Sequence, residues 1–95
     1  MIAVLNATAH PRLGNRVSRV VENSGGDVVS VSDFGEYREE STLVLSKAEF
    51  SESATVLFVR KFFEVGKISE GKTSDKRADI LLIIGEDYWR KLTEF

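Results

Sequence analysis

ILLIIGEDY, residues 80–88, contains the longest uninterrupted aliphatic run of the chain. The five aliphatic residues Ile80–Ile84 predict a strand that is buried on both faces of a sheet, because neither of its sides is polar. A second apolar run, Ile2–Leu5, leads into the turn Asn6-Ala7-Thr8-Ala9 near the start of the chain. A strand that feeds a helix at one end and a buried strand at the other mark a small domain built from helices and strands.

Helical and extended segments alternate between these two strands. Apolar residues at i, i+4, i+7 and i+8 predict a first helix, which ends at Ser24-Gly25-Gly26 because glycine can adopt the left-handed conformation that closes a helix. Further strands are expected at residues 28–31, 42–45 and 67–69, with a polar loop at 33–41. The apolar stripes are Leu13, Val17, Val20 and Val21 in the first helix, and Phe50, Ala54, Leu57, Phe58 and Phe62 in a second.

This order of elements, β-α-β-β-α-β(-β), predicts an α+β fold. We expect a two-layer sandwich in which two helices cover one face of a mixed sheet of four or five strands. Two successive strand-helix-strand units suggest a ferredoxin-like general plan with split βαβ units. The chain is expected to form one domain, with an ordered core at about residues 2–88 and a tail at 89–95 that Tyr88, Trp89 and Phe95 anchor to the domain.

The second helix carries another apolar stripe, Val56, Val59 and Phe63, offset from the first. One sheet contact does not require so much apolar circumference. The stripe is therefore expected either to be buried under the C-terminal tail or to contact a partner. The second alternative makes the chain a structural dimerisation domain.

Composition restricts the possible functions. With 13 basic and 15 acidic residues the net charge is −2, which disfavours nonspecific binding of nucleic acid. The sequence contains no cysteine, so disulfides and thiolate metal sites are excluded, and with His10 as the one histidine we expect no metal, no cofactor and no catalytic residues. The longest aliphatic run is far shorter than the about 20 residues of a membrane-spanning helix, and Asn6 interrupts any secretory leader. We expect a cytoplasmic protein or one domain of a longer protein.

Residues 66–73, GKISEGKT, satisfy the P-loop pattern GxxxxGK[ST]. A P-loop requires a buried strand before it and a helix after it, because the phosphates lie at the N-terminus of that helix. Here the preceding segment has helical spacing and only six residues separate the motif from Ile80. A surface loop is the expected structure, and a small P-loop nucleotide-binding protein is the alternative.

A basic stripe, Arg12, Arg16 and Arg19, follows the first turn. Guanidinium groups bind phosphate or carboxylate through paired hydrogen bonds, and a helix N-terminus adds free N–H groups. The stripe is interpreted either as a solvated helix face or as an anion site. Such a site would be lined by Thr8, His10, Arg12 and Arg16.

Three segments together resemble a known family: VLNATA from Val4, LGNRVSRVVENSGGDVVSV from Leu13, and ADILLIIGEDY from Ala78. They are similar to the C-terminal domain of LytR family proteins of bacterial cell envelopes, in which VLNG(S/T)G precedes a short helix and a later strand ends in G-x-D-Y. The matching motif positions are Asn6, Gly85, Asp87 and Tyr88. The chain departs from the family pattern at Ala7, Ala9 and Arg12, where the family commonly has glycine.

The resemblance implies a non-catalytic accessory module on the outer side of the cytoplasmic membrane. Such a module accompanies a membrane-anchored domain that transfers glycopolymers to the wall, so its expected partners are other domains of the parent polypeptide. Wall glycan or an anionic polymer is the expected ligand. None of the catalytic domain is present in these residues.

Overall fold

Five strands and three α-helices alternate along the residues that the computed structural model describes, 1–73 and 77–93. A 3₁₀ helix at Ala48–Glu52 precedes the second α-helix, whose N-cap is Ser53: the side chain of Ser53 accepts a hydrogen bond from the Val56 amide at 3.2 Å. The strands are β1 (Ile2–Asn6), β2 (Val28–Asp33), β3 (Thr42–Leu45), β4 (Lys67–Glu70) and β5 (Ile80–Ile84), and the helices are α1 (Leu13–Asn23), α2 (Ala54–Phe63) and α3 (Glu86–Thr93).

The strands form one mixed sheet in the order β2-β1-β5-β3-β4. All neighbouring strands are parallel except β3 and β5, which are antiparallel. The predicted α+β class and strand number are confirmed, but the βαβ units are not split as in a ferredoxin: β1 pairs directly with β2, and β3 with β4. The strand β5 lies between the two units because every one of its residues is apolar and is buried by a neighbour on each side.

The three helices pack on the same face of this sheet. Helix α3 is added to the two helices that the sequence predicted, and it continues through residues 89–93, which we had placed outside the core. Trp89 and Leu92 pack against the main core, whereas Phe95 lies outside the described residues. The buried apolar side chains of the helices are Leu13, Val17 and Val21 of α1, Val56, Val59 and Phe63 of α2, and Tyr88 of α3.

Helix α2 faces the sheet with the stripe that we had considered as a possible dimer contact. Val56 and Val59 are completely buried, while Leu57 and Phe62 are 52% and 50% exposed. Of the two alternatives for Val56, Val59 and Phe63, burial is therefore confirmed and a dimer contact is wrong, since these side chains form the core of the domain. Phe63 contacts Tyr88 edge-on with ring centroids 4.8 Å apart, a contact that spacing within α2 could not predict.

The loop after β2 crosses the carboxyl ends of the central strands. The Arg38 amide donates to the Ala7 carbonyl at 2.8 Å, and the Glu86 amide donates to the Arg38 carbonyl at 3.0 Å. Phe34, at the start of this loop, packs on the face of the sheet opposite the helices. The loop thereby forms one wall of the edge at which β1, β2 and β5 end.

Candidate functional site

A crevice of about 370 Å³ lies where the parallel strands β1 and β2 end, and Asn6 pairs with Asp33 in the register at this point. Ligands of sheets with parallel strands commonly bind outside the carboxyl ends of those strands, which makes this the candidate site. The crevice is lined by Asn6, Thr8, Ala9, Pro11, Asp33, Gly35, Glu36 and Tyr37.

Asn6 holds the turn that forms the floor of the crevice. Its side-chain NH₂ donates to the His10 carbonyl at 2.8 Å, and its oxygen accepts from the amide and hydroxyl of Thr8 at 3.0 and 2.6 Å. The Thr8 hydroxyl also accepts from the His10 amide at 3.1 Å. Asn6 is buried and all of these bonds are local, so its role in the turn is structural.

The departures from the family glycines have different consequences. Arg12, immediately before α1, has φ +75°, in the left-handed region that favours glycine. Neither Ala7 nor Ala9 has a positive φ, so alanine fits at both positions without backbone strain. A glycine is therefore conformationally suited to the place of Arg12 but is not required in the turn itself.

The crevice is acidic. Of the described residues that line it, Asp33 and Glu36 are acidic and none is basic. The Tyr37 hydroxyl donates to Glu39 at 2.8 Å, and this bond raises the pKa of Tyr37 to about 12. The bonds from Tyr37 and Arg90 lower the pKa of Glu39, so Glu39 is charged and Tyr37 is neutral near pH 7.

The four residues of the predicted anion site do not converge. Thr8 is bonded to Asn6, and Arg12 lies at a separate hollow of about 200 Å³ that it shares with Asp33. The charge of Arg16 acts on Tyr88 of α3 instead. His10 turns away from the crevice: its Nε2 lies 2.6 Å from Glu86 Oε1, and its ring stacks on Trp89 with centroids 3.8 Å apart.

The G-x-D-Y segment forms a latch between β3 and α3, made by Ser41, Gly85 and Asp87. Asp87 accepts from the Ser41 hydroxyl at 2.7 Å and from the Ser41 amide at 3.0 Å. The Gly85 amide donates to the same hydroxyl at 2.9 Å. A Cβ on Gly85 would lie 2.5 Å from the Glu40 carbonyl carbon, so only glycine fits this approach.

Comparison with known protein families identifies the family to which this chain belongs. Residues 1–88 match the LytR_C family, described as LytR cell envelope-related transcriptional attenuator. The chain belongs to this family. No match was found among curated proteins or among solved structures.

Membership in the LytR_C family confirms the resemblance carried by VLN and G-x-D-Y and makes the chain an accessory domain of a cell-envelope protein. Within the LytR_C fold, Asn6 forms the turn after β1, Gly85 and Asp87 form the latch, and Tyr88 is buried against Phe63. The motif residues of this domain therefore support its architecture. None of the helices among residues 1–73 and 77–93 is long and apolar enough to cross a membrane.

The segment that matched the P-loop pattern has the wrong architecture for a phosphate site. Helix α2 precedes it, and its positions 67–70 form the strand β4, whereas in a P-loop these positions form the loop itself. Lys72 and Thr73 line an open hollow of about 630 Å³ with Ser46 and Glu70. In the described part of the chain, no three His, Asp or Glu residues are grouped so as to hold a metal ion.

Sequence reasoning missed Asp33, Glu36 and Tyr37 as crevice residues. Asp33 ends a strand parallel to β1, and this is a signal that could have found it, because the carboxyl ends of parallel strands meet at one edge. Ser41 was also missed, and it had no local signal, since its partner Asp87 lies 46 residues away.

Proposed function

We propose that this LytR_C domain is a non-catalytic, extracytoplasmic binding module that holds a neutral segment of wall glycan in the crevice at the ends of β1 and β2. Its partners in this role are the other domains of its parent polypeptide, including a domain that transfers glycopolymers to the wall. The acidic, tyrosine-containing lining of the crevice is the observation that carries this proposal.

The charge of the crevice favours a neutral glycan over an anionic polymer. Asp33 and Glu36 disfavour phosphate groups, although Arg38 pairs with Glu36 at 3.3 Å, whereas carboxylates accept hydrogen bonds from sugar hydroxyls and amides. Tyr37 is 54% exposed, so its ring face is accessible to the apolar face of a sugar. The basic residues Arg12 and Arg16, which would attract an anion, do not line the crevice.

The groups that could transfer protons are already engaged by other residues, and this also supports a binding role. The His10 imidazole is held by Glu86 and covered by Trp89, away from the crevice. Thr8 already donates its hydroxyl proton to Asn6. The lining therefore offers acceptors and an aromatic surface, without a paired nucleophile and base.

Isothermal titration calorimetry with neutral N-acetylated amino-sugar oligosaccharides tests this function, with a polyglycerol phosphate as the competing ligand. We expect the oligosaccharide to bind and Tyr37→Ala to weaken binding about 3- to 10-fold, the value of one aromatic contact. Phe62→Ala is the matched control, because Phe62 is similarly exposed but lies on α2. Binding of the phosphate polymer alone, or equal loss in both variants, would contradict the proposal.

The extracytoplasmic location has its own test. We expect an epitope on the natural protein to be digested when protease is added to intact spheroplasts of the source bacterium. Digestion only after lysis would place the domain in the cytoplasm.

A further inference from the structure

Helix α2 presents an apolar face to solvent on the outside of the domain. Leu57 and Phe62 are each about half exposed, at 52% and 50%. Phe62 stacks on Phe58 with centroids 5.4 Å apart and contacts Phe63 at 5.0 Å, so its position is fixed from below by the core. Shallow hollows of about 570 and 360 Å³ lie on either side of Lys61.

The same helix is basic. Its sequence, ATVLFVRKFF, contains Arg60 and Lys61 and no acidic residue. Glu64, the acid that follows the helix, is paired with Lys91 of α3. The exposed apolar side chains of α2 are therefore accompanied by positive charge that no acid of the helix cancels.

This charge extends over the whole helical layer, although the protein is acidic overall. The three helices pack on one face of the sheet, so their outward sides form a single surface. They contain six basic and three acidic residues. Of the acids, Glu86 and Asp87 are bonded to His10 and Ser41, and of the bases, Arg90 and Lys91 are paired with Glu39 and Glu64, which lie outside the helices. The rest of the chain is correspondingly negative. The basic residues are Arg16, Arg19, Arg60, Lys61, Arg90 and Lys91.

We propose that the outward face of α2 docks on the surface of an anionic lipid bilayer, with Leu57 and Phe62 entering the headgroup region and Arg60 and Lys61 binding lipid phosphates. This proposal is independent of glycan binding, since the crevice lies at the ends of β1 and β2 and shares no residue with α2. Exposed apolar side chains flanked by basic ones on one helix are the chemistry that binds such a surface.

Other occupants fit this face less well. A polymer of phosphates would pair with Arg60 and Lys61 but would leave Leu57 and Phe62 in water. A second copy of the chain would bring another basic helical layer against this one, and a stable dimer needs about 800 Å² from each partner. Two half-exposed side chains supply only a small part of that area.

Co-sedimentation of the whole chain with vesicles of phosphatidylglycerol and phosphatidylcholine, against vesicles of phosphatidylcholine alone, tests the proposal. We expect binding to the anionic vesicles that salt weakens. Leu57→Ser with Phe62→Ser should reduce the partition coefficient at least about tenfold. Each of Arg60→Gln and Lys61→Gln should reduce it about fivefold.

Matched controls lie away from α2. Val31→Ser changes an exposed apolar residue of the edge strand β2, and Arg38→Gln changes an exposed basic residue of the loop after β2. Both should bind as the wild type does, and circular dichroism should show all variants folded. The proposal is overturned by equal binding to both kinds of vesicle, by equal losses in the controls, or by a dimer in light scattering that Phe62→Ser converts to a monomer.

Discussion

Ser41 and Asp87 are joined by two hydrogen bonds that connect the residue before β3 to the first turn of α3. Ser41 is 1% exposed, and its hydroxyl also accepts from the Gly85 amide at 2.9 Å. Each polar group of this latch therefore forms a hydrogen bond with another group of the latch. Together they close the end of the sheet at which β5 passes into α3.

Removing one side of the latch should destabilise the folded domain. Asp87→Ala leaves the Ser41 amide and hydroxyl without their acceptor, so we expect the free energy of unfolding to fall by about 2–3 kcal/mol. Urea titration of Asp87→Ala, Ser41→Ala and the double variant forms a cycle that measures the coupling. If the double variant loses as much free energy of unfolding as the two single variants together, Ser41 and Asp87 do not act as a coupled pair.

Gly85 is required because a side chain at this position would clash with neighbouring backbone atoms. Gly66, where a side chain would meet nothing, is the control. A Cβ at residue 85 would lie 2.5 to 2.8 Å from backbone atoms of Glu40 and Ser41, whereas a Cβ at Gly66 meets no atom within 4 Å. We expect Gly85→Ala to destabilise the domain by about 2–4 kcal/mol and Gly66→Ala to change its stability by less than about 0.5 kcal/mol. Thermal unfolding measures both, and similar melting temperatures for the two variants would show that the close approach is absent.

Two substitutions on α2 test which side of this helix faces the sheet. Val59→Glu places a carboxylate in the core and should cost more than about 4 kcal/mol, enough to unfold a domain of this size. Leu57→Glu changes a half-exposed residue and should alter stability by about 0.5 kcal/mol or less. Circular dichroism distinguishes the two, and a folded Val59→Glu protein would reverse the assignment of the faces.

Tyr88 makes stability depend on pH in the alkaline range. Burial raises the pKa of Tyr88 above its ordinary value, and Arg16 opposes this shift. The folded state therefore holds the phenolic proton more tightly, so the contribution is fully present below about pH 10 and is lost as the pH rises through the folded-state pKa. Tyr88→Phe should reduce this decline in unfolding titrations, whereas Tyr37→Phe should keep the part due to Tyr88 and lose only what the raised pKa of Tyr37 contributes. Identical profiles for wild type and Tyr88→Phe would be inconsistent with a buried phenol.

The fold was largely predictable because its signals are local. The unbroken run Ile80–Ile84 required a place between two strands, and the apolar stripes predicted α1 and α2, whereas α3 was not predicted. The pairing of β1 with β2 was not predictable in the same way, since strand order depends on contacts between distant segments. On α2 two apolar stripes overlap, and spacing alone does not decide between the buried Val59 and the half-exposed Leu57. The buried stripe includes Phe63, whose contact Tyr88 lies far away in sequence.

The site was less predictable than the fold. Thr8 lines the crevice as its position in the first turn suggested, but His10 and Arg16 interact with α3. The acidic wall comes from Asp33 and Glu36, whose proximity to the turn depends on the parallel register of β1 and β2. Asp33 could have been placed there from the strand-helix-strand order, but the position of Glu36 in the following loop has no comparable signal.

A ¹H–¹⁵N correlation spectrum of the whole chain, recorded during titration with a neutral N-acetylated amino-sugar oligosaccharide, locates the ligand residue by residue. Binding in the crevice predicts that the amide signals of Thr8, Gly35 and Tyr37 shift until saturation, while those of α2 and β4 stay in place. Shifts confined to residues outside the crevice, or no shifts at millimolar oligosaccharide, would contradict a glycan site at the ends of β1 and β2.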